Sequence, residues 1–276
     1  MAFNVKSPEW GSEAAIRYVS EYYQEFEDAV YAVDENGNYT GYNEETGKYY
    51  YDYVDQESLV KLVLLQQLAL NPDGFISSVY FYKDVDGKMY AGPIWDQDMT
   101  LGTGWSKYVD PSIVDYHYLE EALLQIPEFK QAVTEYYNGE FAPMIAEMIA
   151  DGGDVDQYAG VLKENMAMNH VLWPFIRIGN PEVDGHIWEN ATYDEVIQDT
   201  KQWLANRLDV LDGIFAVSGD VTGDGKVNSN DAVAILRHLA GYEITGSIAF
   251  GDVTGDGKVN SNDSVAILRR LAGYTD

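Results

Sequence analysis

The sequence predicts a mainly α, α+β fold: a helix-rich N-terminal domain with one small β-hairpin, followed by an all-α module of two loop-helix units. Three observations carry this. Apolar residues recur at helical spacing in several segments between residues 12 and 211. One strong hairpin signal, Asp86-Gly87, stands between two strand-like runs. The last 58 residues consist of a duplicated motif.

In chain order, Ala15, Ile16, Val19, Tyr22, Tyr23, Phe26, Ala29 and Val30 give residues 12–33 one apolar face, predicting a helix. Residues 34–54, with Asn36-Gly37 and Thr46-Gly47, read as turns or a loose hairpin. Asp55 is placed to cap an apolar helix from Gln56 to about Leu70. Runs 78–83 and 88–94 form the hairpin. Residues 118–137, about 141–150 and about 155–170 are predicted helical. Thr192-Tyr-Asp-Glu195 is a capping box opening a last long helix through Trp203, Leu204, Leu208 and Leu211 to Gly213.

Composition narrows the function. With 17 Lys+Arg against 46 Asp+Glu in 276 residues, the net charge of −29 repels nucleic acid and disfavours an anionic membrane surface. The absence of cysteine excludes disulfides, zinc–thiolate sites and thiol nucleophiles. No apolar run reaches membrane-spanning length, so no membrane insertion is expected. The first residues contain no basic-then-apolar leader. The acidity is uneven: residues 1–218 hold 38 acidic and 12 basic residues, and residues 219–276 hold 8 and 5.

Residues 219–243 and 251–275 are identical at 22 of 25 positions, differing at Ala232/Ser264, His238/Arg270 and Glu243/Thr275. Each copy opens with a calcium-loop pattern. Asp220, Thr222, Asp224, Lys226, Asn228 and Asp231 occupy loop positions 1, 3, 5, 7, 9 and 12, as do Asp252, Thr254, Asp256, Lys258, Asn260 and Asp263. A hard cation with six or more oxygen ligands needs this convergence of alternate side chains, the lysines contributing backbone carbonyls. Gly225 and Gly257 stand where the loop turns sharply. Val227 and Val259 are expected to join the loops through a short β-bridge. Val233, Leu236 and Leu239 with Ile235, and Val265, Leu268 and Leu271 with Ile267, are expected to form each helix's apolar face, ended by Gly241 and Gly273.

Residues 219–275 resemble a type I dockerin, the duplicated calcium module that binds cohesin domains of cellulosome scaffoldins. The resemblance implies two Ca²⁺ ions and a scaffoldin cohesin partner, and the near-identity of the repeats leads to the expectation of 1:1 binding in either of two orientations. By position it assigns cohesin contacts to Ser229, Asn230, Leu236 and Arg237 and to Ser261, Asn262, Leu268 and Arg269. Helix capping is the alternative role for the Ser-Asn pairs. Thr222 and Thr254 depart from the family's usual Asn or Asp.

The first domain offers no Gly-x-Ser-x-Gly elbow. Its histidines, His117, His170 and His186, like His238 in the repeat, are too far apart in sequence for metal-ligand spacing. The stretch from Asp73-Gly-Phe through SSVYFYKDVDGKMYAGP to Ile94-Trp-Asp-Gln-Asp-Met-Thr-Leu-Gly102 resembles the catalytic half of a kinase-like fold. Residues 54–105 resemble the C-terminal part of a CotH family domain, with helix 192–211 as its closing segment. The resemblance assigns Asp73 as catalytic aspartate, Asp96 as metal-binding aspartate, and Asp98 as completing a site for Mg²⁺. Ser78 stands where kinases place a metal-binding Asn, and no Gly-rich loop or ATP-anchoring Lys is found among the residues before 54. The nucleotide-binding lobe is therefore expected to be missing from this chain, and catalysis by it is not expected.

The expected organisation is a CotH-like domain at 1–214, a linker at 215–218 and a dockerin at 219–276. The expected function is that of a secreted cellulosome component, its dockerin anchoring the CotH-like domain in a polysaccharide-degrading complex. The alternative is an enzymatic first domain, either a kinase acting through Asp73 and Asp96 or a carbohydrate-active module.

Overall fold

The computed structural model describes residues 5–6, 11–103, 110–172, 192–216, 218–254 and 258–274. Helices dominate, with two small antiparallel strand pairs. The first helix, Glu13–Val30, opens on Ser12, whose hydroxyl accepts the Ala15 N–H at 3.2 Å. It buries Tyr23, Phe26, Ala29 and Val30. The loose hairpin is Tyr42–Asn43 against Lys48–Tyr49. Asp55 accepts the Ser58 N–H at 2.8 Å and so starts helix Gln56–Ala69. The second hairpin pairs Phe81 with Ala91, Tyr82 with Tyr90 and Lys83 with Met89, shorter at both ends than its sequence signal.

The helix expected over 118–137 is two, Tyr118–Gln125 and Pro127–Tyr136. Pro127 cannot donate an N–H, and the preceding Ile126 is extended (ψ 120°), as a residue before proline prefers. A single π-helical turn, Tyr137–Phe141, joins the second of these to Ala142–Ile149. Helices Asp154–Leu172 and Tyr193–Phe215 follow. The capping box holds: Thr192 Oγ1 accepts the Glu195 N–H at 3.3 Å while Glu195 accepts the Thr192 N–H at 2.7 Å. That helix continues past Gly213 to Phe215.

The chain divides into two compact units. The first comprises Met1–Leu62, Phe75–Trp95 and Tyr116–Lys130. In it Tyr50 packs edge-on to Phe129 at 5.9 Å. The Tyr22 hydroxyl donates to the Tyr53 carbonyl at 2.7 Å, and burial pushes its pKa up to about 12. The second comprises Val63–Gly74, Asp96–Asp115 and Gln131–Asp276. Its centre is Arg207, fully buried, which donates to the carbonyls of Gln67 (2.7 Å), Pro111 (3.0 Å) and Ile113 (2.5 Å) and to Gln67 Oε1 (3.1 Å). Such planar five-donor chemistry suits arginine, not lysine.

The two repeats form helices Ser229–Leu239 and Ser261–Leu271. Their shared core is Val221, Ala232, Ala234 and Ile235 with Val253, Ala266 and Ile267. Here the expected apolar face is corrected: Ile235 and Ile267 point inward, but Val233, Leu236 and Leu239 and their counterparts are about half exposed. The small alanines let the helices approach closely, leaving no room for the larger residues inside. Val227 and Val259 pack on this core, with no β-bridge between them among the described residues. Gly241 and Gly273 take positive φ (81° and 82°), and Tyr242 and Tyr274 donate back to the Arg237 and Arg269 carbonyls at 3.0 Å, closing Schellman caps.

Candidate functional site

Each loop-helix unit starts with a carboxylate lattice. Asp220, fully buried, accepts N–H groups of Gly223 (2.8 Å), Asp224 (3.1 Å) and Gly225 (2.7 Å). Asp231, also fully buried, accepts the Thr222 N–H and Oγ1–H, each at 2.8 Å, and the Asn228 N–H at 2.7 Å. Burial raises the pKa of Asp220, backbone N–H bonds oppose this, and the negative charge of Asp231 adds to the rise. Asp224 is exposed and accepts the Lys226 N–H at 2.9 Å.

In the second loop Asp263 repeats the pattern, accepting from Thr254 N (2.9 Å), Thr254 Oγ1 (2.8 Å) and Asn260 N (2.8 Å). Its burial raises the pKa, but those bonds win and hold it low. Asp252 and Lys258 are described; Asp256 and Gly257 lie outside the described residues, as do Trp105 and His186.

Among the described residues no three His, Asp or Glu side chains are gathered as a finished metal site. The donor chemistry nevertheless fits calcium. Two buried carboxylates face each other's charge in one short loop, beside Thr222 Oγ1 and the Asn228 amide oxygen, all oxygen donors suited to a hard cation.

The helix caps are Asn228 and Asn260. Their side chains accept the N–H of Asn230 (2.8 Å) and Asn262 (2.9 Å). Capping is thus taken by the residue before each Ser-Asn pair. Ser229, Asn230, Leu236 and Arg237 are exposed, and so are Ser261, Asn262, Leu268 and Arg269. Two of the differences between the repeats have visible roles. Buried Ser264 donates to the Ala232 carbonyl at 2.9 Å, and Arg270 donates to the Val253 carbonyl at 3.2 Å.

The three aspartates that the resemblance assigns to a site in the first domain, Asp73, Asp96 and Asp98, are exposed and belong to one unit. A residue that the sequence reading missed ties two of them together. The buried amide of Asn71 accepts the Asp73 N–H at 3.0 Å and donates to the Asp96 carbonyl at 3.4 Å. Asn71-Pro72, a turn signal, was its only trace in the sequence. Asp96 has left-handed backbone (φ 60°), a conformation uncommon outside glycine that concentrates at functional sites. The Leu101 N–H donates to the Ala69 carbonyl at 2.9 Å, fixing the same loop to the end of helix Gln56–Ala69. Gly102 (φ 79°) lies against the Trp203 indole, where a Cβ would stand 2.7 Å from Nε1. Ser78, the kinase-like Asn position, is buried.

No curated protein and no solved structure matches the chain. Family comparison finds the CotH kinase protein family over residues 6–211 and the dockerin type I domain over residues 218–272. The first match reaches well upstream of residue 54, so helix Glu13–Val30 and the first hairpin belong to the same family domain. The second brings with it calcium and cohesin binding as the general property of a dockerin. The chain belongs to the CotH kinase protein family and carries a type I dockerin domain at its C-terminal end.

Proposed function

We propose that this protein is an extracellular cellulosome component, in which a CotH domain at 1–214 is joined through 215–218 to a dockerin at 219–276. The dockerin binds two Ca²⁺ ions and seats on a scaffoldin cohesin with 1:1 stoichiometry, placing the CotH domain in a polysaccharide-degrading assembly. One observation carries this reading: both helices present the same exposed stripe, Ser-Asn at the start and Leu-Arg two turns on, while their isoleucines are buried between them. Calcium ligands are assigned to Asp220, Thr222, Asp224, Lys226, Asn228 and Asp231 and to the matching residues of the second loop, Asp252 to Asp263. Among the described residues no helix is long and apolar enough to cross a membrane. Calorimetric titration with cohesin, in calcium and then in EDTA, tests the reading; equal binding in both would overturn it.

A second reading is favoured by the Asn71 bridge. Asp73 and Asp96, held through one amide, form the acidic centre of a phosphoryl-transfer site, with Asp98 assisting Mg²⁺. Saturable Mg-ATP binding lost in Asp96→Asn supports it, and no binding at millimolar Mg-ATP excludes it for this chain.

A further inference from the structure

The first calcium loop lies against the CotH domain within one compact unit, and the contact is made by glycines. Gly223 has positive φ (73°), and a Cβ on it would stand 2.7 Å from Gly139 Cα. A Cβ on Gly139 would in turn stand 3.2 Å from the Gly223 carbonyl oxygen. Beside them, a Cβ on Gly225 would meet Glu135 Cγ at 2.6 Å. Backbone therefore touches backbone, an approach that only glycine permits.

The surface that receives the loop is built for it. Gly139 lies in the π-helical turn Tyr137–Phe141, and inserted turns of this kind often mark functional sites. The neighbouring Asn138, fully buried, donates to the Thr134 carbonyl (2.6 Å) and the Phe215 carbonyl (3.0 Å). The Tyr137 hydroxyl donates to Asp212 at 2.5 Å, and its ring lies 5.6 Å from Phe215. The end of the CotH domain's last helix is thus clamped just before the chain reaches Asp220.

Charge makes this contact sensitive to the ion. Without an ion, the uncompensated charge of Asp220, Asp224 and Asp231 disfavours seating the loop at Gly225 beside Glu135, on a domain that holds 38 acidic and 12 basic residues. A divalent cation in the loop removes most of that repulsion.

We propose that the first calcium loop and the Glu135–Gly139 surface form a calcium-tightened latch, through which filling of the first loop stabilises the CotH domain. This rests on the reading of the loops as calcium sites. Coupling is reciprocal, so the surface also raises the calcium affinity of the first loop.

The sequence provides a reporter. All six tryptophans (Trp10, Trp95, Trp105, Trp173, Trp188 and Trp203) precede residue 219, so tryptophan fluorescence follows the CotH domain alone. The experiment records fluorescence-detected thermal unfolding of the full chain in calcium and in EDTA, with calorimetry of CaCl₂ binding on the same samples. Calcium should raise the parent's midpoint by about 2–4 °C. Gly139→Val, a wedge, should abolish the rise and weaken one calcium site by about fivefold. Glu135→Lys, on the half-buried rim, attracts the loop's carboxylates even without the ion and should shrink the rise while leaving the fold intact. Calcium binding without a midpoint shift in the parent would overturn the latch alone, as would an unchanged shift in both variants. Absence of calcium binding in the parent would instead overturn the calcium reading beneath it.

Discussion

Gln66 is buried beneath Gly74, and neither atom of its amide has a hydrogen-bond partner among the described residues. Gly74 has no room for a side chain, because a Cβ there would stand 2.9 Å from the Gln66 amide. An orphaned buried amide costs about 1–3 kcal/mol. Gln66→Met keeps the length and removes the orphan, so it should raise stability by about 1 kcal/mol in urea unfolding; a loss would show that the amide serves a bound group. Asp212 gives a pH-dependent case. Burial raises its pKa above the ordinary 3.8, the hydrogen bond from Tyr137 opposes this, and Asp209's charge adds to the rise. A carboxyl with raised folded-state pKa costs stability once it is ionised in both states, and costs nothing below its unfolded pKa. Asp212→Asn retains an acceptor for Tyr137. Its melting point should therefore exceed the parent's at pH 7, with the advantage fading as pH falls toward 3.8.

At the scale of elements, the calcium module is the least self-sufficient part of the chain. Its core is seven small or medium side chains between two 11-residue helices, with no disulfide to brace it. Each loop also buries a carboxylate at its end, Asp231 or Asp263, whose charge an ion must offset. EDTA should therefore remove the part of the circular dichroism belonging to helices Ser229–Leu239 and Ser261–Leu271 and leave the helices before residue 216. Full retention of helicity in EDTA would refute this. Close approach also fixes the linker between the repeats. A Cβ on Gly246 (φ 91°) would stand 2.2 Å from the Val221 carbonyl oxygen, so Gly246→Ala should weaken the paired loops even with calcium present.

For the molecule as a whole, near-identity of the repeats predicts two equivalent docking modes. A half-turn about their pseudo-twofold axis exchanges Ser229, Asn230 and Arg237 for Ser261, Asn262 and Arg269. Ser229→Ala/Asn230→Ala alone, or Ser261→Ala/Asn262→Ala alone, should cost about 0.4 kcal/mol of cohesin affinity, the value of one of two equal modes. All four changes together should cost far more than the sum. If one pair alone abolishes binding, one orientation dominates. Arg270, bonded to Val253 where the first repeat has His238, is then the first asymmetry to reverse.

Much of this was written in local chemistry. The calcium-loop spacing, the capping box at Thr192, the Asp55 cap and the terminal glycines are short-range patterns, and each governs a hydrogen bond or a φ angle within a few residues. Periodicity likewise located the helices. It could not say which side of the repeat helices faces inward, because that depends on what the partner helix offers: alanines meeting across the pair drew Ile235 and Ile267 inside and left Leu236 and Leu268 outside. Nor could it show Arg207 gathering carbonyls from residues 67, 111 and 113, Asn71 joining the two aspartate loops, or Gly139 receiving Gly223. Short-range patterns account for the helices, the turns and the oxygen-donor spacing of the loops. The tertiary structure alone decided the faces, the buried polar bridges and the glycine contact, because those depend on groups far apart in the chain that only packing brings within hydrogen-bonding or van der Waals range.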